Sequence, residues 1–250
     1  MVDTILPAPP RAAEVIYPES DGLPIADNSR QLHWIFLIYG NLAALFCDAQ
    51  DVLVGGDMFW YPVEGHPEIV QAPDVFVVFG RPKGHRGSYQ QWKEGGIAMT
   101  VVFEILSPKN THIEMVEKFF FYEDHGVEEY YIYDPDTNRL LIYLRRGTTL
   151  VGVRAIEDFT SPRLGIRFDF SGPEMVILGP NGKRFLTFGE LTKEHHQAQQ
   201  QAEQAQQQAE QAQQRAARLA ELGRKARRQQ ASAEELAELE RLEQETSPSA

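Results

Sequence analysis

The sequence predicts an α/β (α+β) fold, a mixed central sheet flanked by helices and followed by a helical tail. Three observations carry that reading. Apolar residues at helical spacing alternate along the chain with short strand-like apolar runs. The run from Ile97 to Leu106 is apolar on both faces, as befits a strand in the middle of a sheet. Near residue 192 the composition changes: beyond it Gly and Pro occur once each, as Gly223 and Pro248, and Gln, Ala and Glu dominate. Residues 1–190 are therefore read as one folded domain and residues 191–250 as an Ala/Gln/Glu-rich helical tail.

Element by element, the stretch to about Asn28 is Pro-rich and reads as extended. Leu32, Ile35, Ile38, Leu42, Leu45 and Phe46 then form one helical face. Three strand-like segments follow: Val52 to Tyr61, Asp74 to Phe79 and Ile97 to Leu106. Residues 112–125 read as a helix ended by Gly126, and Val127 to Tyr133 as a strand. Asp134-Pro135-Asp136-Thr137-Asn138 has turn chemistry. Leu140 to Leu144 and Leu150 to Ala155 read as a hairpin with Arg146-Gly147 near its turn. In the tail, Ala198, Ala202, Ala205, Ala209, Ala212, Ala216 and Leu219 alternate spacings of four and three, a coiled-coil seam. Its Ala knobs bury little area, so a solvated helix and a weak oligomerisation helix both fit. Gly223 and the basic run through Arg228 are expected to interrupt it. Ser232 and Glu235 form a capping-box pattern before a last short helix.

Composition excludes several classes. The chain has 250 residues, a formal net charge of −12 and one cysteine, Cys47, so no internal disulfide framework exists. The longest apolar run is about half of what a membrane-spanning helix needs, and no basic segment with an apolar core opens the sequence. A cytoplasmic protein with no membrane partner is the expectation. Residues 1–190 hold 16 Lys/Arg and 26 Asp/Glu, so the acidity belongs to the domain. That argues against a general nucleic-acid coat. The exception is local: residues 80–93 carry Arg81, Lys83, Arg86 and Lys93 with no acid, plus Tyr89 and Trp92, which could stack on bases. An ordinary surface loop fits this segment equally well.

The chemistry centres on carboxylates in apolar strands. Glu104 is the only charged residue in Ile97 to Leu106, and a buried lone carboxylate must be paired, protonated or metal-bound. Asp74 opens the run Val75 to Phe79 after Pro73. Two carboxylates at the ends of neighbouring strands suit a hard divalent cation such as Mg²⁺ or Mn²⁺; an ion pair or a plain turn are the alternatives. A nearby lysine would stabilise the attacking hydroxide or the developing charge; in the usual arrangement it lies two residues after the Glu on the same strand face, but Leu106 stands there. Lys109 lies in the next loop, and Lys118 falls at the edge of an apolar arc of Met115, Val116, Phe119, Phe120 and Tyr122 on the following helix. Lys118 could reach Glu104 or pair with Glu114 at i−4. No HExxH, Walker loop, Rossmann glycine fingerprint or GxSxG occurs.

The order Pro73-Asp74, then Val-Val-Phe-Glu-Ile-Leu-Ser-Pro from Val101, then Glu117-Lys118-Phe119, then Gly-Val-Glu-Glu-Tyr-Tyr-Ile-Tyr-Asp-Pro from Gly126 resembles the Uma-two-like family of the PD-(D/E)xK nuclease superfamily. The resemblance covers about residues 15–190 and implies a restriction-endonuclease-like fold. It implies that Asp74 and Glu104 match the two metal carboxylates, with Lys118 standing in for the missing strand lysine and Asp57 as a further candidate. The resulting expectation is a Mg²⁺- or Mn²⁺-dependent DNA endonuclease. Asp74, Glu104 and Lys118 would be catalytic, and Arg81, Lys83, Arg86 and Lys109 would contact phosphate. The alternative is a non-catalytic interaction protein that retains the fold and homo-oligomerises through its tail.

Overall fold

The computed structural model describes residues 15–246 apart from 21 and 23. The expected extended segment falls partly outside the described residues; its described part has no helix or strand. The chain divides into two compact units, Met1–Phe188 and Gly189–Ala250.

In the first unit, helix α1 (Ser29–Leu45) starts where the Asn28 side chain accepts from the backbone N–H groups of Arg30 and Gln31, a capping arrangement that satisfies two otherwise orphaned donors. The strands are β1 (Val52–Gly55), β2 (Trp60–Tyr61), β3 (Val75–Phe79), β4 (Tyr89–Gln90), β5 (Val101–Ile105), β6 (Glu129–Asp134), β7 (Arg139–Arg146), β8 (Thr149–Gly152), β9 (Arg167–Asp169) and β10 (Val176–Leu178). Helix α2 (His112–Asp124) joins β5 to β6. The main sheet runs β1-β3-β5-β6-β7-β8. Only β5 and β6 are parallel, so α2 is the crossover helix such a pair requires; the other neighbours are antiparallel.

Two cores follow from strand alternation. Val75 and Val77 with Val101, Phe103 and Ile105 pack against Trp34, Ile35, Ile38 and Leu42 of α1. Phe76, Val78 and Val102 point to the opposite face, where Tyr122, Met115 and Phe119 of α2 cover them. With a period of two, Asp74 shares the α2 face with Phe76, and Glu104 shares it with Val102. The sheet is thus buried on both sides at its centre, which explains the unbroken apolar reading of β3 and β5.

Several elements differ from the sequence reading. The expected strand from Val52 to Tyr61 stops at Gly55, because Asp57 takes a left-handed φ of 48° and turns the chain into a separate two-stranded ribbon of β2 and β4. Residues 97–100 are not strand. The ribbon of β9 and β10 was not foreseen: its three-residue strands are too short to show a period, yet Phe168 packs under Tyr131. On α2, Val116 and Phe120 are exposed, so the helix buries a narrower face than its apolar arc suggests.

In the second unit, α3 (Phe188–Arg227) runs unbroken through Gly223, contrary to the expected interruption, and the chain turns only after it. A tolerated helix-interior Gly costs only about 1 kcal/mol. Helix α4 (Ala233–Thr246) begins at the expected capping box, with Ser232 and Glu235 exchanging hydrogen bonds. It folds back on the end of α3, where Leu222 is buried and Arg218 and Lys225 pair with Glu238 and Glu235. The Ala seam itself stays exposed from Ala198 to Ala216. Among the described residues no helix is long and apolar enough to cross a membrane.

Candidate active site

The sheet register assembles the site. Val75 lies opposite Phe103 and Phe76 opposite Val102, so continuing by one residue sets Asp74 opposite Glu104. On the other side β1 ends with Gly55 opposite Phe76, and in the turn beyond it the Asp57 N–H donates to the Pro73 carbonyl oxygen at 2.9 Å, beside Asp74. Two carboxylates, Asp74 and Glu104, therefore stand level on neighbouring strands, with Asp57 in the adjacent turn. Like charges directly across a sheet repel, and the surroundings respond to that.

Glu104 is buried, and both of its oxygens are engaged. Lys118 Nζ donates to Oε2 at 2.9 Å, and the Tyr122 hydroxyl donates to Oε1 at 2.5 Å. Both donors come from α2, four residues apart and hence on one helix face. Lys118 also lies 4.0 Å from Glu114, so the i−4 pair exists, but as the longer contact. Burial works to lower the Lys118 pKa; the charge and hydrogen bond of Glu104, with Asp74 adding, outweigh it and leave the ammonium above its ordinary value. Burial, with the Glu104 charge next, drives the Tyr122 hydroxyl well above the usual phenol range, so it stays a donor.

Asp74 is poorer in partners. The Ile105 N–H donates to its Oδ2 at 2.6 Å. Burial first, and the Glu104 charge second, push its carboxyl up to about 8, with the Ile105 bond and Lys118 opposing and Asp57 adding to the rise. Asp74 is thus a carboxyl in need of positive charge. The donor set of oxygens from two adjacent carboxylates suits a hard divalent cation, and each Glu104 oxygen keeps a second lone pair for one. Among the described residues no group of three or more His, Cys, Asp or Glu side chains forms a cluster that could hold a metal. Gly56 brings β1 close: a Cβ there would lie 2.6 Å from the Asp74 carbonyl oxygen. Gly56→Ala is expected to push β1 away from β3 and cost about 2 kcal/mol or more of stability, read by denaturant unfolding.

The sequence reading missed Tyr122 as a partner of Glu104. The signal was present, since Tyr122 lies four residues beyond Lys118 on the same helix face. Lys109, the other lysine considered, reaches Asp27 at 2.6 Å, with its side chain 74% exposed. The basic loop is arranged differently from its sequence appearance. The 3₁₀ turn Gln91–Glu94 folds Glu94, one residue past the acid-free stretch, onto both Arg81 and Arg86 at 2.7 and 2.6 Å. Lys83 donates to the carbonyl oxygens of Phe46 and Cys47 at the end of α1. Tyr89 is fully buried with its hydroxyl on the Ile97 carbonyl, and Trp92 packs on Tyr17. Tyr89 is therefore not available to stack on a base, and the two arginines are neutralised within the fold.

The sequence profile of the Uma2 family, described as "Putative restriction endonuclease", matches residues 19–178. No curated protein matches the chain. Among solved structures, a crystal structure of a "putative nuclease" from Anabaena variabilis aligns with a TM-score of 0.39 at 12% identity, covering 54% of this chain and 72% of that one. The profile match spans more than half of the sequence and includes β1 to β10, with Asp74, Glu104, Lys118 and Tyr122, and on it the chain belongs to the Uma2 family of restriction-endonuclease type.

Proposed function

We propose that the chain is a divalent-metal-dependent DNA endonuclease that hydrolyses phosphodiester bonds, with Asp74 and Glu104 as metal carboxylates and Lys118 as the cationic catalytic group. The observation that supports this best is the pairing of Asp74 with Glu104 across β3 and β5, with Lys118 Nζ 2.9 Å from Glu104. A bound Mg²⁺ or Mn²⁺ would supply Lewis-acid charge and a water of lowered pKa. The chain's own groups have distinct tasks. Asp74 and Glu104 hold negative oxygen where the ion would sit. Tyr122 and Lys118 fix the Glu104 carboxylate from both sides. Lys118, kept protonated, has N–H groups beyond the one given to Glu104 and can donate to charge developing on a phosphate oxygen. It is not a general base in this arrangement. All four basic residues considered for phosphate contact have partners within the fold, Arg81 and Arg86 on Glu94, Lys109 on Asp27 and Lys83 on two backbone carbonyl oxygens; the two lysines are the exposed ones and keep that role, while the half-buried arginines are not given it.

The test is cleavage of supercoiled plasmid by highly purified protein with Mg²⁺ or Mn²⁺. Asp74→Asn and Glu104→Gln should each lower the rate at least about 100-fold, with unchanged circular dichroism. Equal rates in wild type and variants would overturn the proposal. A wild type that cuts nothing and binds neither ion by calorimetry would point instead to a fold retained for binding partners.

A further inference from the structure

The α2 face of the sheet holds one further polar group, which the proposed mechanism leaves unused. Tyr130 of β6 is fully buried and lies opposite Val102 of β5. It belongs to the core under α2 together with Val102, Phe119 and Tyr122, so it stands on the same face as Glu104. Glu104 is two residues beyond Val102, which makes it the diagonal neighbour of Tyr130. Strand spacing and rise set their Cα atoms about 8 Å apart, a gap that two long side chains span. The Tyr130 ring is held by its neighbours, with centroids 4.9 Å from Tyr122, 6.0 Å from Tyr143 and 6.4 Å from Phe119. Tyr122 is the residue whose hydroxyl donates to Glu104.

The other buried tyrosines among the described residues all give their hydroxyl proton to an acceptor. Tyr61 donates to the Pro18 carbonyl, Tyr89 to the Ile97 carbonyl, Tyr122 to Glu104, Tyr131 to Glu129 and Tyr133 to Asn138. The Tyr130 hydroxyl has no hydrogen-bond partner among the described residues. A buried hydroxyl without a partner costs free energy that a phenylalanine of the same shape would not. Burial first, and the Glu104 charge second, drive this hydroxyl well above the usual phenol range, with Tyr143, Asp74 and Glu114 adding. It therefore stays protonated, a donor set among carboxylates. Glu104 keeps lone pairs beyond those used by Lys118 and Tyr122. The two groups do not bond directly, so whatever joins them must accept from the phenol and donate to the carboxylate. Water does both, and buried waters serve polar groups that the protein leaves unsatisfied.

We propose that Tyr130 is a positioning residue of the carboxylate site, its hydroxyl donating to a buried water that in turn donates to Glu104. The bridge gives Glu104 a third donor, reached from β6, beside the two it takes from α2. A bridging water is nearly as good a partner as a direct hydrogen bond. Groups that orient a ligating carboxylate in this way shift ion affinity by about tenfold or more when removed. That Glu104 holds a cation rests on the nuclease reading; the bridge itself does not.

Two measurements on the full chain test this. A crystal structure of protein prepared in EDTA should show a water within hydrogen-bond distance of both the Tyr130 hydroxyl and the Glu104 carboxylate. A hydroxyl with only carbon around it, or a water that does not reach Glu104, overturns the inference. Calorimetric titration with Mg²⁺ should then give a Kd about tenfold higher for Tyr130→Phe than for wild type. Tyr131→Phe is the control, because its hydroxyl donates to Glu129 on the opposite face of the sheet; its Kd should match wild type. Urea unfolding in EDTA reports whether each variant is folded. An equal Kd in wild type and Tyr130→Phe, or an equal weakening in Tyr131→Phe, overturns the positioning role even where the wild type cleaves plasmid. A bridging water in a chain that binds no Mg²⁺ and cuts nothing sustains the link from Tyr130 to Glu104 and removes the nuclease reading.

Discussion

Metal-free protein is expected to lose stability steadily as the pH rises from about 4 to about 8, and Asp74→Asn to abolish most of that loss. The cause is the environment of Asp74, where burial and the facing Glu104 charge push the carboxyl up to about 8 from an ordinary value near 4. Below pH 4 the group is neutral in both folded and unfolded chains, and the stability it permits is fully present. Between pH 4 and 8 the unfolded chain releases the proton while the folded chain retains it, so each unit of pH favours unfolding. Above pH 8 both states are ionised and the loss is complete. A shift of this size corresponds to a few kcal/mol, with about 5 as a ceiling. Urea titrations at a series of pH values in EDTA give the curve. Millimolar Mg²⁺ should restore most of the loss near pH 8, because an ion that binds only the folded state stabilises it by mass action. A wild-type profile no steeper than that of Asp74→Asn would refute this account of the site.

Lys118→Met should have the next largest effect, and on two separable quantities. Among the described residues the ammonium is the only cation paired with Glu104, and that pair is almost dry, with side-chain exposures of 14% and 3%. Removing one member of a buried pair costs roughly 3–5 kcal/mol, because the remaining charge is left uncompensated. Plasmid cleavage should fall at least about 100-fold as well. The double variant Glu104→Gln/Lys118→Met separates the effects: with the charge gone, most of the stability should return while cleavage stays lost. If the double variant is as unstable as Lys118→Met, the cost came from packing of the lysine stem, and the pair is not the source.

Much of this arrangement is legible in the amino-acid order because it depends on local periods. The alternation of β3 and β5, the crossover helix α2, and the isolation of Glu104 in an apolar run all follow from spacings of two or of 3.6 residues. Lys118 and Tyr122 follow from the same logic, although only the lysine was read as a partner. What could not be read depends on side chains meeting across long separations. Glu94 lies one residue beyond the basic stretch, and only the backbone turn at Gln91–Glu94 shows that it neutralises Arg81 and Arg86. The break after Gly55 reflects a left-handed Asp57, a conformation that sequence pattern seldom announces. The tail is the converse case: its Gly223 looks like a stop, yet the surrounding Ala, Leu and Arg are strong enough helix formers to carry α3 past it.

The crossover helix also has a consequence for the order in which the site comes together. Lys118 and Tyr122 lie 14 and 18 residues from Glu104, whereas Asp74 lies 31 residues from the Ile105 amide it accepts from. Closing the shorter loops costs less chain entropy, so β5, α2 and β6 are expected to form an early unit that already holds Glu104 between its two donors. The repelling carboxyl of Asp74 then arrives with β3, onto a neighbour whose charge has been met. A chain that had kept its lysine two residues beyond Glu104 would have drawn that cation from the strand itself; by drawing it from the helix, this one makes the formation of its charge pair inseparable from the docking of α2.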